Sequence, residues 1–184
     1  SLEKRVSITP ETAKNIINLG LKVIIEENYA AHIGITNKDY EAVGVEIKSS
    51  SKKILANCNL LTKVNCPSND EISNLKNDTI LIGMLNPLKN QSQLQEIKKK
   101  GINIFSLELL PRISRAQSMD VLSSQSNLAG YRSVVDSIYE FEKAIPMMMT
   151  AAGTVPAAKV LVIGAGVAGL QAIATAKRLG AIVS

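Results

Sequence analysis

Short apolar runs alternate with stretches of helical apolar spacing over the first 105 residues of the chain. The run from Thr79 to Leu85 is almost continuously apolar, which is typical of a strand buried on both faces of a parallel sheet. The pattern predicts strands over residues 22–26, 45–47, 60–64, 79–85 and 102–105, and helices over 10–19, 36–43, 49–57, 70–75 and 87–100. Strands and helices in steady alternation predict a parallel, right-handed α/β sheet covered by helices on both faces.

The alternation ends at a polar stretch over residues 111–127. Beyond it, apolar side chains recur at helical spacing and predict one amphipathic helix over about 128–144. A segment with Pro146, Gly153 and Pro156 then precedes another strand. We therefore expect a first domain over residues 1–127 with the edge of a cleft at 111–127, an interdomain helix over 128–144, and the start of a second domain over 145–184.

A glycine-rich turn lies between a predicted strand, 160–163, and a predicted helix, 167–179. Its sequence is Gly164-Ala-Gly-Val-Ala-Gly, which has the spacing of a dinucleotide-binding turn. In that motif Gly164 allows the tight turn, Gly166 lets the backbone approach a pyrophosphate, and Gly169 lets the helix pack close to the strand. The helix N-terminus then offers unpaired N–H groups and a partial positive charge. A Gly/Ala-rich packing helix without a ligand is the alternative. Only one further strand, 181–183, follows, so we expect this second domain to be incomplete here.

Composition narrows the classes of function. The 184 residues are 46% hydrophobic and 20% charged, as expected of a globular protein, and the net charge is +5. The basic residues are scattered and aromatic residues make up only 3%, so nucleic-acid binding is not expected. The longest uncharged stretch, Val160 to Ala176, is shorter than a membrane span and contains the glycine motif. Cys58 and Cys66 lack the spacing of a metal site, so we expect no metal.

Acid–base candidates are few, since the chain has one histidine, His32, with no orienting partner nearby in sequence. The polar stretch carries a guanidinium at Arg112, an amide at Gln117, a carboxylate at Asp120 and a hydroxyl at Ser123. The last three are spaced by three residues, so on a helical turn they share one side. Such a set can hold a carboxamide and a ribose. A solvated loop that enters a helix would have a similar composition, and the pattern alone leaves both interpretations open.

Four segments resemble the alanine dehydrogenase/pyridine nucleotide transhydrogenase family. They are Arg5-Val-Ser-Ile-Thr-Pro-Glu-Thr, Pro111-Arg-Ile-Ser-Arg-Ala-Gln-Ser-Met-Asp, Ser123-Ser-Gln-Ser-Asn-Leu-Ala-Gly-Tyr-Arg and Gly164-Ala-Gly-Val-Ala-Gly-Leu. The resemblance covers essentially the whole chain, and the second and third segments are similar to the transhydrogenase branch. It implies two Rossmann-like domains with parallel sheets around a cleft, the second one truncated in this chain, with NAD(H) bound on the second.

The resemblance also implies residue roles. Arg112, Asp120 and Ser123 would contact the nicotinamide end of NAD(H), and Gln117 would extend toward NADP(H) on a partner domain; these four are the candidate catalytic residues. Tyr131 would line the same cleft. The pyrophosphate would be bound by the glycine turn, through Gly164, Gly166, Val167 and Gly169.

The implied activity is direct hydride transfer between NAD(H) and NADP(H), with proton translocation by other domains. The implied partners are an NADP(H)-binding domain, a membrane domain and a second copy of the chain, at the cytoplasmic side of the inner membrane. Hydride transfer between two nicotinamides needs positioning rather than a protein base, which agrees with the scarcity of histidine. The alternatives are an NAD-dependent alanine dehydrogenase, whose substrate-carboxylate Arg and Lys match Arg5 and Lys63, and a non-catalytic NAD-binding module.

Overall fold

The structure, a computed structural model, describes residues 3–184 and has two compact units, the first ending at Pro111 and the second beginning at Arg112. Residues 1 and 2 of the predicted first domain lie outside the described residues. The predicted boundaries after residues 127 and 144 differ from this division and stay a prediction about the domains of the protein.

The first unit is an alternation of helices and parallel strands, as the sequence pattern predicts. Its elements are α1 (Pro10–Asn18), β1 (Ile24–Glu26), α2 (Asn37–Glu41), β2 (Glu46–Lys48), α3 (Ser51–Leu55), β3 (Leu60–Asn65), α4 (Asn69–Asn74), β4 (Ile80–Met84), α5 (Gln91–Lys99) and β5 (Asn103–Ser106). Each predicted strand is present within two residues of its expected ends. The turn residues and caps explain this agreement, since the Thr9 side chain accepts a hydrogen bond from the N–H of Thr12 and Pro10 begins α1.

Backbone hydrogen bonds divide the first unit into two sheets. β1 pairs with β2, and β3, β4 and β5 form a separate three-stranded sheet with β4 in the middle; all these pairings are parallel. The expected single sheet is therefore wrong. Ser7 connects the two groups through side chains: its N–H donates to the Tyr29 hydroxyl at 2.7 Å, and its Oγ donates to Thr62 O at 3.1 Å. Because these contacts involve side chains, they do not continue the backbone ladder.

Each sheet of the first unit has its own apolar core. Leu81, Leu85 and Ile97 are completely buried in the core of the β3–β4–β5 sheet. Ala13 and Tyr40 are the most buried members of the core around β1 and β2. The Tyr40 hydroxyl donates to Ile8 O at 2.8 Å, so the polar end of this buried ring is satisfied.

The second unit begins with a short 3₁₀ helix, Ser114–Met119, followed by the long helix α6, Val121–Phe141. The sequence pattern placed the start of this helix at residue 128, which is wrong. Asp120 caps the helix and accepts a hydrogen bond from the N–H of Ser123, so the polar residues before Leu128 form its first turns. Apolar spacing could not detect these turns because both Ser123 and Ser124 are polar.

After α6 the chain forms an antiparallel hairpin of β6 (Met148–Thr150) and β7 (Gly153–Val155), with Met148 opposite Val155. The sequence predicted only an irregular connection here. The Thr150 hydroxyl closes the turn by donating to Gly153 O at 2.9 Å. The hairpin was missed because each of its strands has only three residues, too few for a recognisable alternation.

The last elements are β8 (Lys159–Val160), α7 (Val167–Arg178) and β9 (Ile182–Val183), with β8 and β9 paired in parallel. This arrangement confirms the predicted strand–turn–helix–strand order. Ala172 and Ala176 of α7 pack with Val134 of α6 in a small apolar core. Next to β8, Leu161 is 72% exposed and Ile163 is 92% exposed, so these strand-adjacent side chains remain uncovered. Across residues 3–184, no helix is both long enough and apolar enough to cross a membrane.

Candidate functional site

The glycine turn between β8 and α7 has the backbone geometry that the sequence predicted. Gly164 has a φ of +101°, in the left-handed region that favours glycine. Gly166 is the N-cap of α7 with an extended backbone, and its carbonyl accepts from the N–H of Leu170 at 2.9 Å. The chain therefore leaves the strand, turns at Gly164 and enters the helix at Gly166.

Two glycines of the turn have different steric surroundings. A Cβ at Gly169 would lie 2.0 Å from Gly164 O, so this position cannot take a side chain without displacing the turn. At Gly166, no atom within the described residues 3–184 lies within 4 Å of the corresponding Cβ position. Gly169 is thus required by packing inside the protein, whereas the space beside Gly166 is open to a ligand.

The start of α7 is suited to an anion. A glycine N-cap has no side chain to accept a hydrogen bond from the first N–H groups of the helix, which leaves those donors available. The basic residues Lys177 and Arg178 lie in the last turn of the same helix, where they complement the dipole without blocking its N-terminus. The turn therefore fits the pyrophosphate of a dinucleotide on both steric and electrostatic grounds.

Asp120 and Ser123 form a directly bonded pair at the start of α6. Asp120 Oδ1 accepts from the N–H of Ser123 at 2.9 Å, and Asp120 Oδ2 accepts from the Ser123 hydroxyl at 2.7 Å. These two hydrogen bonds, with a smaller attraction from the Arg112 guanidinium, lower the pKa of the Asp120 carboxyl. The carboxylate is therefore ionised at neutral pH, and its remaining lone pairs can accept further N–H donors such as those of a carboxamide.

Gln117 joins this group through its backbone, because its carbonyl accepts from the N–H of Asp120 at 3.2 Å. Residues three apart in a 3₁₀ helix lie on the same side, so the tight turn before α6 places Gln117 above Asp120. The side chains of Arg112 and Gln117 are exposed. The structure thus brings Arg112, Gln117, Asp120 and Ser123 together at one end of α6, and their individual roles stay predictions.

α6 and α7 contact each other at a glycine that the sequence pattern did not single out. A Cβ at Gly130 would lie 2.1 Å from Ala168 O, at the first turn of α7. The neighbouring residue, Tyr131, is 51% exposed. Tyr131 therefore lies beside the place where the helix of the glycine turn meets α6. A glycine in the middle of a long helical pattern is a recognisable signal of close packing, and it could have identified Gly130.

The two basic residues that match a carboxylate-binding pair are both engaged within the first unit. The Arg5 guanidinium pairs with the Glu3 carboxylate, at 2.7 Å for the closest atoms. The Lys63 ammonium pairs with Glu71. Burial acts to raise the pKa of Glu71, but hydrogen bonds from Lys63 and Ser68 outweigh it, so the pKa is lowered and the carboxylate stays charged. The remaining acid–base candidate, His32, is exposed and its Nε2 lies 2.8 Å from Lys4 O.

Comparison with known proteins places the chain in a family. Residues 1–129 match the model for the N-terminal domain of alanine dehydrogenase/PNT, where PNT is the pyridine nucleotide transhydrogenase, and residues 133–184 match the model for its C-terminal domain. The chain belongs to the alanine dehydrogenase/PNT family. The resemblance noted in the sequence is thereby confirmed.

Its relatives include both branches of the family. The chain is 50% identical to an NAD(P) transhydrogenase subunit alpha of Rhodospirillum rubrum over 98% of its length and 48% of that protein. The structure of a transhydrogenase from Sinorhizobium meliloti matches with a TM-score of 0.93 at 46% identity, covering 98% of this chain and 54% of that one. An L-alanine dehydrogenase structure matches with a TM-score of 0.82 at 25% identity, covering 97% and 50%.

These matches confirm the predicted α/β class with Rossmann-like parallel sheets. The chain spans about half the length of the curated relatives it matches. Its similarity to the transhydrogenases is much greater than its similarity to the alanine dehydrogenase, which agrees with the branch that the Pro111 and Ser123 segments resemble.

Proposed function

We propose that this chain belongs to the NAD(H)-binding component of a proton-translocating NAD(P) transhydrogenase. The observation that carries this proposal is the 50% identity to a transhydrogenase alpha subunit over 98% of the chain. In the proposed reaction a hydride passes directly between NAD(H) on this component and NADP(H) on a partner domain. A membrane domain of the same complex couples this transfer to proton movement.

The residues of the second unit support this reaction. When bound, NAD(H) supplies or receives the hydride, so the protein needs to position the dinucleotide rather than to move a proton. The first N–H groups of α7 bind the pyrophosphate beside Gly166. Asp120 and Ser123, with Arg112, orient the nicotinamide end, and Tyr131 lines the same side of α6. The exposed Gln117 side chain extends toward the nicotinamide of the partner.

The same relatives support the proposed assembly. The name "subunit alpha" describes one chain of a protein made of several, and we extend this to the present one. The component acts as a homodimer on the cytoplasmic side of the inner membrane. It docks there on the NADP(H)-binding and membrane domains.

Alanine dehydrogenase activity is the second candidate, favoured by the positions of Arg5 and Lys63. The ion pairs with Glu3 and Glu71 count against it, because a basic residue already paired with a carboxylate is a poorer receptor for the carboxylate of an amino acid. A non-catalytic NAD-binding module is the third candidate.

Isotope transfer distinguishes these candidates. The full-length protein, combined with its NADP(H)-binding partner, is given NADPH that carries deuterium at the transferring position, together with NAD⁺. Direct transfer predicts deuterium in the NADH product without loss to solvent, as measured by mass spectrometry. Alanine-dependent reduction of NAD⁺ without any partner would refute the proposal. NAD(H) binding without either activity would indicate the non-catalytic module.

A further inference from the structure

Gly130 is the point at which α6 meets the first turn of α7. A Cβ at this position would lie 2.1 Å from Ala168 O, 2.9 Å from its carbonyl carbon and 3.0 Å from its Cα. All three atoms belong to the backbone, so a change of side-chain rotamer cannot relieve the clash. Any residue other than glycine would have to move one helix away from the other by at least about 1 Å to restore an ordinary contact.

The two helices carry the two groups of the candidate site. Asp120 and Ser123 lie at the beginning of α6, and the glycine turn leads directly into α7. From Ser123 to Gly130 the helix axis advances by about 10 Å, at about 1.5 Å per residue. The Asp120–Ser123 pair and the N-terminus of α7 are therefore joined by a stiff piece of helix and one backbone-to-backbone contact.

We propose that Gly130 is a positioning residue that sets the separation between the nicotinamide group of the site and its pyrophosphate group. This inference rests on the proposed binding of NAD(H) to the second unit. The covalent structure of the dinucleotide fixes how far apart its nicotinamide and its pyrophosphate can be. Binding at both ends at once thus requires the matching distance in the protein. Glycine at position 130 gives that distance by allowing α7 to lie directly against α6.

Gly130→Ala tests the proposal in the full-length protein through two ligands. NADH uses both groups of the site, whereas ADP-ribose lacks the nicotinamide and uses only the glycine turn and the regions beyond it. We expect the variant to bind ADP-ribose within about twofold of the wild type. Its preference for NADH over ADP-ribose should fall at least about tenfold, since a misplacement of about 1 Å can cost a factor of about 100 in a well-oriented site.

Val134 supplies a matched pair of controls on the same face of α6. It is buried and packs against Ala172 and Ala176, one turn further along the contact between the helices. Val134→Leu adds volume and pushes the helices apart, whereas Val134→Ala removes volume and does not. Both substitutions should lower the melting temperature, but only Val134→Leu should reduce the preference for NADH. This pair also tests the proposal if Gly130→Ala does not fold.

Several outcomes would overturn the inference. Equal losses of NADH and ADP-ribose binding in a folded Gly130→Ala variant would mean that Gly130 supports only the glycine turn. Equal effects of the two Val134 variants would mean that stability rather than spacing controls binding. Failure of the proposed function is seen separately, because a wild type that prefers NADH over ADP-ribose but transfers no deuterium between nicotinamides refutes the function and not the spacing role.

Discussion

The open space beside Gly166 gives a sharp test of the candidate site. Gly166→Ala places one methyl group where, among the described residues 3–184, no atom lies within 4 Å. The φ of −74° and the extended ψ of Gly166 suit alanine as well as glycine, so the backbone is not strained. The substitution therefore leaves the protein's own contacts intact and changes only what can approach the start of α7.

The expected loss of affinity follows from the contacts that the methyl group would prevent. A hydrogen bond to a charged group contributes about 1.5 kcal/mol or more, so losing two N–H contacts with the pyrophosphate costs about 3 kcal/mol. Since about 1.4 kcal/mol corresponds to a tenfold change, the Kd for NADH should rise roughly 100-fold. A titration of NADH fluorescence measures this change directly.

Stability should hardly change in the same variant. Alanine is a poorer N-cap than glycine by up to about 1 kcal/mol, but it restricts the unfolded chain by a similar amount. The two effects nearly cancel, so the melting temperature should stay within about 4 °C of the wild type. The variant is thus expected to lose its ligand while keeping its fold.

Gly169→Ala is the matched comparison in the same turn. Its Cβ would lie 2.0 Å from Gly164 O, so this substitution should destabilise the protein as well as weaken binding. Overpacking of this kind costs about 1–3 kcal/mol, which lowers the melting temperature by several degrees. If Gly166→Ala and the larger Gly166→Val both bind NADH within about threefold of the wild type, the space beside Gly166 does not receive the pyrophosphate.

Two further predictions concern Asp120. Asp120→Asn keeps a side chain that caps α6 but loses the charge, so it should slow hydride transfer by about 10- to 100-fold while raising the Kd for NADH less than about tenfold; equal changes in both would contradict an orienting role. Because the pKa of Asp120 is lowered in the folded protein, its carboxylate stabilises the start of α6 above the pKa of the unfolded chain, and this contribution is lost as the pH falls through the folded pKa. NAD⁺ binding should therefore be constant from pH 8 to about pH 5 and decrease only below about pH 4, the ordinary range of an aspartate. A decrease centred near pH 6, or the same acid decrease in Asp120→Asn, would contradict this assignment.

Local elements were predictable where their signals lie close together in the sequence. The strand–turn–helix over β8 and α7 was predicted within a few residues, because the glycine spacing and the apolar run occur within about 20 residues of each other. The same applies to α1, which has its cap and its proline at adjacent positions. The start of α6 was misplaced because its signal, the cap at Asp120, is a side-chain hydrogen bond rather than an apolar period.

The grouping of site residues was only partly accessible. Spacing by three suggested that Gln117, Asp120 and Ser123 share one side, but it did not reveal that the Asp120 carboxylate is already bonded twice to Ser123. Nor could it show that Lys63 is paired with Glu71. Both pairings depend on where a helix begins, since Asp120 caps α6 and Glu71 lies in the first turn of α4.

By itself the sequence determined the α/β class, the order of the elements and the glycine turn, because periodicity and turn residues act over short distances along the chain. Only the tertiary structure decided how the elements meet. It separated the strands of the first unit into two sheets and joined Gly130 to Ala168 across the face of two helices. The physical reason is that such contacts depend on how elements cross, and the sequence indicates which residues are small enough to touch but not which ones do.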